Sequence, residues 1–254
     1  MSVRGMPMVS VDGQADGFEI GWVAPDGGVR RRALAEAEAV AFEEMMPVRE
    51  FSSYRGQRHF PGLYWAATTG RHVGFESWLE RDHAMLLDFD PQVTGLSSQP
   101  FWLGWWDERT RRSRSHAPDY FARASDGTGL VVDCRPANRI DEAAAESFAR
   151  TRSACEAVGW TYRVVSGLDP VRAANLRWLA GYRHPRFGAS EGMTAAVRAA
   201  FATPAPLLVQ AATVGDPLTV LPVVFHLLWC GLLRVDLGRR LSDYTVVMAG
   251  EVGR

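Results

Sequence analysis

Two aspartates stand where a strand would normally carry apolar side chains. The stretch SHAPDYFARASDGTGLVVDCRP, Ser115 to Pro136, reads as a hairpin of two buried strands joined by the turn SDGTG. Each strand carries one carboxylate, Asp119 in APD and Asp133 in VVDCR, and a third, Glu76, falls near the start of a predicted helix. The 14-residue spacing from Asp119 to Asp133 fits two paired strands plus the turn, which would set both side chains at one end of a sheet. Like charges that close repel unless something compensates them. A hard divalent cation such as Mg²⁺ is held by a few carboxylates with waters and substrate phosphate oxygens, and these three could supply such a set. Glu80, four residues after Glu76 on the same predicted helical face, is either an alternative ligand or a partner of one. Gln99 in SQP and His116 in SHAPD are further neighbours; for His116 a solvated surface histidine is the competing reading.

The elements that must position these groups can be outlined from patterning. Phe18 to Arg30 reads as a hairpin around Pro-Asp-Gly-Gly, Ala33 to Met46 as helical by composition, and Phe51 to Arg71 as irregular with a strand near Leu63 to Ala67. In GFESWLERDHAMLLDFDP, the spacing of Phe75, Trp78, Leu79, Leu86 and Leu87 predicts a helix that Pro91 stops. VTGLSSQP and FWLGWW follow, the latter with Trp102 and Trp106 expected on one face toward the core. The turn RTRRSR brings Arg109, Arg111, Arg112 and Arg114 together, either to clamp DNA phosphates or as a solvated turn balanced by Asp107 and Glu108. After Pro136 come an amphipathic helix over Ile140 to Trp160 and a strand in TYRVVSG.

Beyond Leu168 the pattern turns helical: Val171 to Tyr182, Thr194 to Phe201, Leu207 to Ala212, and an apolar helix ending at Leu233. Two short strands in RVDLGRRLSDYTVVM follow, the order expected of a winged-helix module. The expected division is a segment 1–50 packing on a core 51–168, and a second domain 169–254, in an α/β (α+β) chain.

Composition narrows the chemistry. The 254 residues contain no lysine, which excludes a P-loop and Schiff-base catalysis. A net charge of -1 leaves nucleic-acid binding to local patches or partners. Cys134, Cys155 and Cys230 form no CxxC pair, so a reducing cytoplasm is the expected home. No run approaches 18 apolar residues, and no membrane partner is expected. GASEG, Gly188 to Gly192, matches GxSxG but lacks the preceding buried strand such an elbow needs.

FESW, APD and VVDCR together resemble the E, PD and (D/E)xK elements of the restriction-endonuclease-like nucleases. With YRGQRHFPGLYW, GFESWLERDH, SQPFWL and SHAPDYFAR, the chain from Phe51 to Gly167 resembles the TnsA-like endonuclease subunits of heteromeric transposases. The resemblance implies a restriction-endonuclease-like mixed sheet flanked by helices and followed by a winged-helix-like domain. It implies Glu76, Asp119 and Asp133 as catalytic ligands of Mg²⁺, for which Mn²⁺ can substitute. It puts Arg135 where the motif carries lysine; arginine cannot act as a base but can offset phosphate charge. The implied partners are double-stranded DNA at transposon ends, a DDE-type transposase subunit and a transposition ATPase, with cleavage of the non-transferred strand at its 5′ side. A catalytically silent assembly subunit and a stand-alone defence or repair nuclease are the competing readings.

Overall fold

The computed structural model describes residues 17–49 and 60–250. The readings of the amino-terminal stretch and of Phe51 to His59 lie outside those residues. The chain is mixed α/β, and by contacts it divides into two units: residues up to Leu87 with Gln92–Gly167, and Asp88–Pro91 with Leu168–Arg254.

The first unit begins with β1 (Phe18–Val23) and β2 (Val29–Ala33), paired antiparallel. The stretch after β2 contains no α-helix: two 3-10 turns, Leu34–Glu36 and Phe42–Glu44, replace the helix expected over Ala33 to Met46. The reason lies in the buried positions. Leu34, Ala37 and Phe42 are the anchors, and since positions i, i+3 and i+8 would also suit one helical stripe, tertiary packing rather than periodicity decides the outcome. Phe42 instead plugs an aromatic cluster, with ring centroids 5.0 Å from Phe101 and 5.5 Å from Trp160.

Next, β3 (Gly62–Ala66) and β4 (Arg71–Phe75) form a hairpin turning at Gly70, whose φ of 64° suits a residue without Cβ. β4 absorbs Phe75, so the helix α1 (Trp78–Phe89) starts later than its periodicity implied, and Glu76 precedes it. Trp78, expected on the packed face, is 48% exposed and stacks on Phe60.

Then follow β5 (Val93–Ser98), β6 (Trp102–Asp107), β7 (Arg112–His116), β8 (Tyr120–Ala124), β9 (Gly129–Cys134), α2 (Glu142–Ala157) and β10 (Thr161–Val165). One sheet has the order β2-β1-β6-β7 and a second the order β10-β9-β8-β5, antiparallel except for the parallel pair β9 and β10. The parallel pair requires a crossover, which α2 supplies. The helix starts at Asp141, whose carboxylate accepts from Ala144 N at 2.8 Å, and it buries Thr151, Ala154 and Cys155.

The second sheet is covered on both faces. Phe121, Val131 and Tyr162 point into one cluster with Phe42, Phe101 and Trp160; Tyr120, Ala122, Val132 and Cys134 point into another with Tyr64, Val73 and Ala84. Strands buried on both faces read as continuous apolar runs, which VVDC and YFA are apart from the aspartate. On β6 the inward residues are Leu103 and Trp105; Trp106 is 42% exposed, which corrects the expectation that Trp102 and Trp106 face the core.

The second unit holds α3 (Pro170–Ala180), α4 (Glu191–Ala200), β11 (Ala205–Pro206), α5 (Leu207–Val214), α6 (Pro217–Trp229), β12 (Leu233–Arg234) and β13 (Val246–Ala249). α3 and α6 use the same start, an aspartate cap followed by proline at the first helical position: Asp169-Pro170 and Asp216-Pro217. α6 ends before Gly231, at φ 73°, so Leu233 belongs to a strand rather than to the helix expected to reach it. β11, β13 and β12 form a small antiparallel sheet in that order. Ser190 of GASEG caps α4 and no strand precedes it. Among the described residues, no single helix is long and apolar enough to cross a membrane.

Candidate active site

The ends of three strands converge. β8 and β9 pair with Tyr120 opposite Val132, and one further step of that register brings Asp119 opposite Asp133. On the other side of β8, Ser98 pairs with Tyr120, and Gln99 N then donates to Asp119 O at 2.8 Å. Alternation along β8 and β9 turns both aspartates to the face shared with Phe121 and Val131. That face opens into a cavity of about 440 Å³ lined by Asp119, Asp133, Arg135, His116, Trp102 and Arg49, and by the first turns of α2.

The two carboxylates have different surroundings. Asp133, 3% exposed, accepts from Tyr162 Oη at 2.5 Å, and His116 Nε2 lies 2.9 and 3.0 Å from its two oxygens. His116 ends β7, so the short link Ala117-Pro118 that carries the chain between the sheets also delivers the imidazole to Asp133. The histidine edge packs on Phe148 of α2. Burial and the Asp133 charge push the Tyr162 hydroxyl far up, so it remains a donor.

Asp119 accepts a 2.7 Å bond from Cys134 N. Burial holds its carboxyl well above the usual carboxylate range; the charges of Asp133 and Glu80 add to this, and the Cys134 amide and Arg49 oppose it. Burial likewise keeps the Cys134 thiol protonated.

Glu76 and Glu80 occupy distinct roles at the mouth of α1. Ser77 Oγ accepts from Glu80 N at 3.2 Å and donates to Glu80 Oε1 at 2.8 Å, while Glu80 Oε2 accepts from Glu76 N at 2.6 Å. This reciprocal cap holds the Glu80 carboxylate against the helix start, where burial raises its pKa and the Glu76 amide and Ser77 hydroxyl pull it back. Glu76 instead pairs with Arg49 Nη2 at 3.2 Å. The Glu80 charge in turn helps to raise the pKa of Asp119.

Arg135 is exposed on the cavity wall, its backbone N–H bonded to Val165 O at 2.8 Å. In the arginine-rich hairpin, Asp107 organises the turn: its carboxylate accepts from Arg109 N, Thr110 N, Thr110 Oγ1 and Arg114 Nε, and the Thr110 hydroxyl leads in lowering its pKa to about 2. Arg109 approaches Glu146 of α2 at 3.9 Å; Arg111 and Arg112 are exposed.

Sequence reasoning missed Arg49 and Tyr162. Arg49 lies in a segment without periodicity, and Tyr162 reads as an ordinary inward strand residue until the parallel pairing of β10 carries it beside Asp133.

Carboxylate oxygens at Asp119 and Asp133, with Glu80 nearby, are the donor chemistry of Mg²⁺, which takes one or two carboxylates and keeps several waters. Among the described residues, no group of three or more His, Cys, Asp or Glu side chains is arranged to hold a metal ion by itself. No protein-family model and no curated protein matches the chain significantly.

Proposed function

We propose that this chain is a metal-dependent DNA endonuclease subunit of a heteromeric transposase, of the TnsA-like kind that its motifs resemble. One observation carries the reading. The elements α1, β5, β8, β9, α2 and β10 form a helix, three antiparallel strands, a crossover helix and a parallel fourth strand, with Asp119 and Asp133 opposite each other at one end. This arrangement supports the restriction-endonuclease-like reading, in which DCR, Asp133 to Arg135, stands for the (D/E)xK element. Four helices and a small antiparallel sheet, with β11 between α4 and α5 and β12 and β13 after α6, support the winged-helix-like reading of the second unit.

In this reading Asp119 and Asp133 hold a Mg²⁺ ion, with Glu80 completing the acidic surface. When bound, the cation supplies an activated water and offsets charge on the phosphodiester. The chain's own groups do the rest. Tyr162 and His116 fix the orientation of Asp133, and the Cys134 amide fixes that of Asp119. Arg135 and Arg49 line the cavity as permanent cations for the scissile phosphate. Arg111 and Arg112 offer contacts to the flanking duplex.

A second reading, a catalytically silent DNA-binding subunit, draws on the engagement of both Asp133 oxygens and on arginine in place of lysine. Calorimetric titration of Mn²⁺ with a short DNA duplex present separates the two. Binding by the wild type that is lost in Asp119→Asn supports the nuclease; no binding by either protein favours the silent subunit. Asp119→Ala is expected to abolish strand cutting without loss of fold, and full activity in that variant would remove Asp119 from the site.

A further inference from the structure

Arg49 reaches the acidic site from outside the strands that build it, and it is anchored there at a conformational cost. Val48 N donates to Gln99 O at 2.9 Å. The Gln99 amide, with its oxygen toward the guanidinium, accepts from Arg49 Nη2 at 3.2 Å and donates to Arg49 O at 3.0 Å. Gln99 is 1% exposed and sits at φ 46°, in the left-handed region that favours glycine. Backbone held there persists only where its surroundings impose it. Here it allows one residue to bind Asp119 through its N–H and Arg49 through its side chain.

The guanidinium so held pairs with Glu76 Oε2 at 3.2 Å and lines the same cavity as Asp119 and Asp133. Its charge favours the ionised forms of both Glu80 and Asp119. A divalent cation at Asp119 would meet Arg49 as a like charge. A DNA phosphate offers bidentate oxygens that compete with Glu76 for the guanidinium.

We propose that Arg49 is the resident counter-cation of the acidic cluster, keeping divalent-cation binding weak until a DNA phosphate draws the guanidinium away. The inference rests on the nuclease reading above and adds a coupling between cation and DNA that the carboxylates alone do not require. By linkage, DNA then tightens the cation and the cation tightens DNA by the same factor.

The test is calorimetric titration of Mn²⁺ into wild type, Arg49→Gln, Arg49→Lys and Asp119→Asn, each with and without a short duplex. Without DNA, Arg49→Gln is expected to bind Mn²⁺ about tenfold tighter than wild type, because a charge facing the ion is gone. Arg49→Lys stays near wild type, and the duplex tightens Mn²⁺ binding less in Arg49→Gln than in wild type. Melting in chelator should be lower for Arg49→Gln than for wild type and recover when Mn²⁺ is added. Gln99→Gly tolerates the backbone and releases the guanidinium; it carries the same expectation to a smaller degree if Arg49→Gln does not fold. Mn²⁺ affinity no tighter in these variants than in wild type overturns the counter-cation role and leaves the carboxylate site standing. Absence of binding in every protein, or binding that survives Asp119→Asn, overturns both.

Discussion

Asp119 is held where its own charge is opposed: burial, Asp133 and Glu80 all disfavour ionisation, and the Cys134 amide and Arg49 only partly compensate. The sign of the consequence follows from linkage. A carboxyl whose folded pKa is raised binds protons more readily in the folded state, so its penalty is absent below the unfolded value of about 4 and fully present above the folded one. Asp119→Asn keeps an acceptor for Cys134 N and removes the charge. It is expected to melt higher than wild type at neutral pH, with the advantage fading as the pH falls toward 4; equal melting across that range would show that the charge is already compensated. Tyr162→Phe removes a donor from a buried carboxylate and is expected to cost about 1.5–3 kcal/mol in denaturant unfolding.

At the scale of elements, the start of α1 and the bend after β5 position the site through local hydrogen bonds. Ser77→Ala removes the reciprocal cap and is expected to lower stability by about 1 kcal/mol, while freeing the Glu80 carboxylate from its place near Asp119. Strand β9 has little room at its first residue: a Cβ at Gly129 would lie 2.8 Å from the Trp160 ring and 3.0 Å from that of Phe121. Gly129→Ala is expected to destabilise by about 1–3 kcal/mol through overpacking. Unfolding curves indistinguishable from wild type would mean that the indole shifts at no cost.

Across the whole molecule, 28 arginines are offset by 29 acidic residues, so affinity for DNA must come from where the arginines lie rather than from their number. The exposed Arg111 and Arg112 differ in this respect from Arg114, which Asp107 holds, and from Arg109, which approaches Glu146. If the hairpin contacts phosphates, replacing Arg111 or Arg112 by glutamine should weaken duplex binding at all sequences and lower the salt slope by about one per residue. An unchanged slope in both variants would assign the hairpin to the solvated-turn reading.

Much of the architecture was legible from pattern, because local rules act over short distances. The SDGTG turn, the VVDC run and the helical pattern of α2 and α4 each carry their own physical reason within a few residues. The spacing of Asp119 and Asp133 was legible for the same reason, since a hairpin's register is set by its turn. What eluded pattern was decided by contacts between distant segments. An alanine-rich stretch became two 3-10 turns because Phe42 had to reach an aromatic core assembled from β6, β8 and the residues around Trp160. Phe75 became strand because β3 stood ready to pair with it, which moved Glu76 off the helix. Trp105 rather than Trp102 and Trp106 turned inward because pairing with β1 set which face of β6 was covered. The contacts of Arg49 with Glu76, of Tyr162 with Asp133 and of His116 with Asp133 join residues 27, 29 and 17 positions apart on different elements. Residue types and short-range pattern settled which groups were available and which local turns would form. Beyond the Asp119–Asp133 pair, the charges that share the buried space were set by the folding together of distant segments, because desolvation and Coulomb forces act on neighbours in space whatever their separation along the chain.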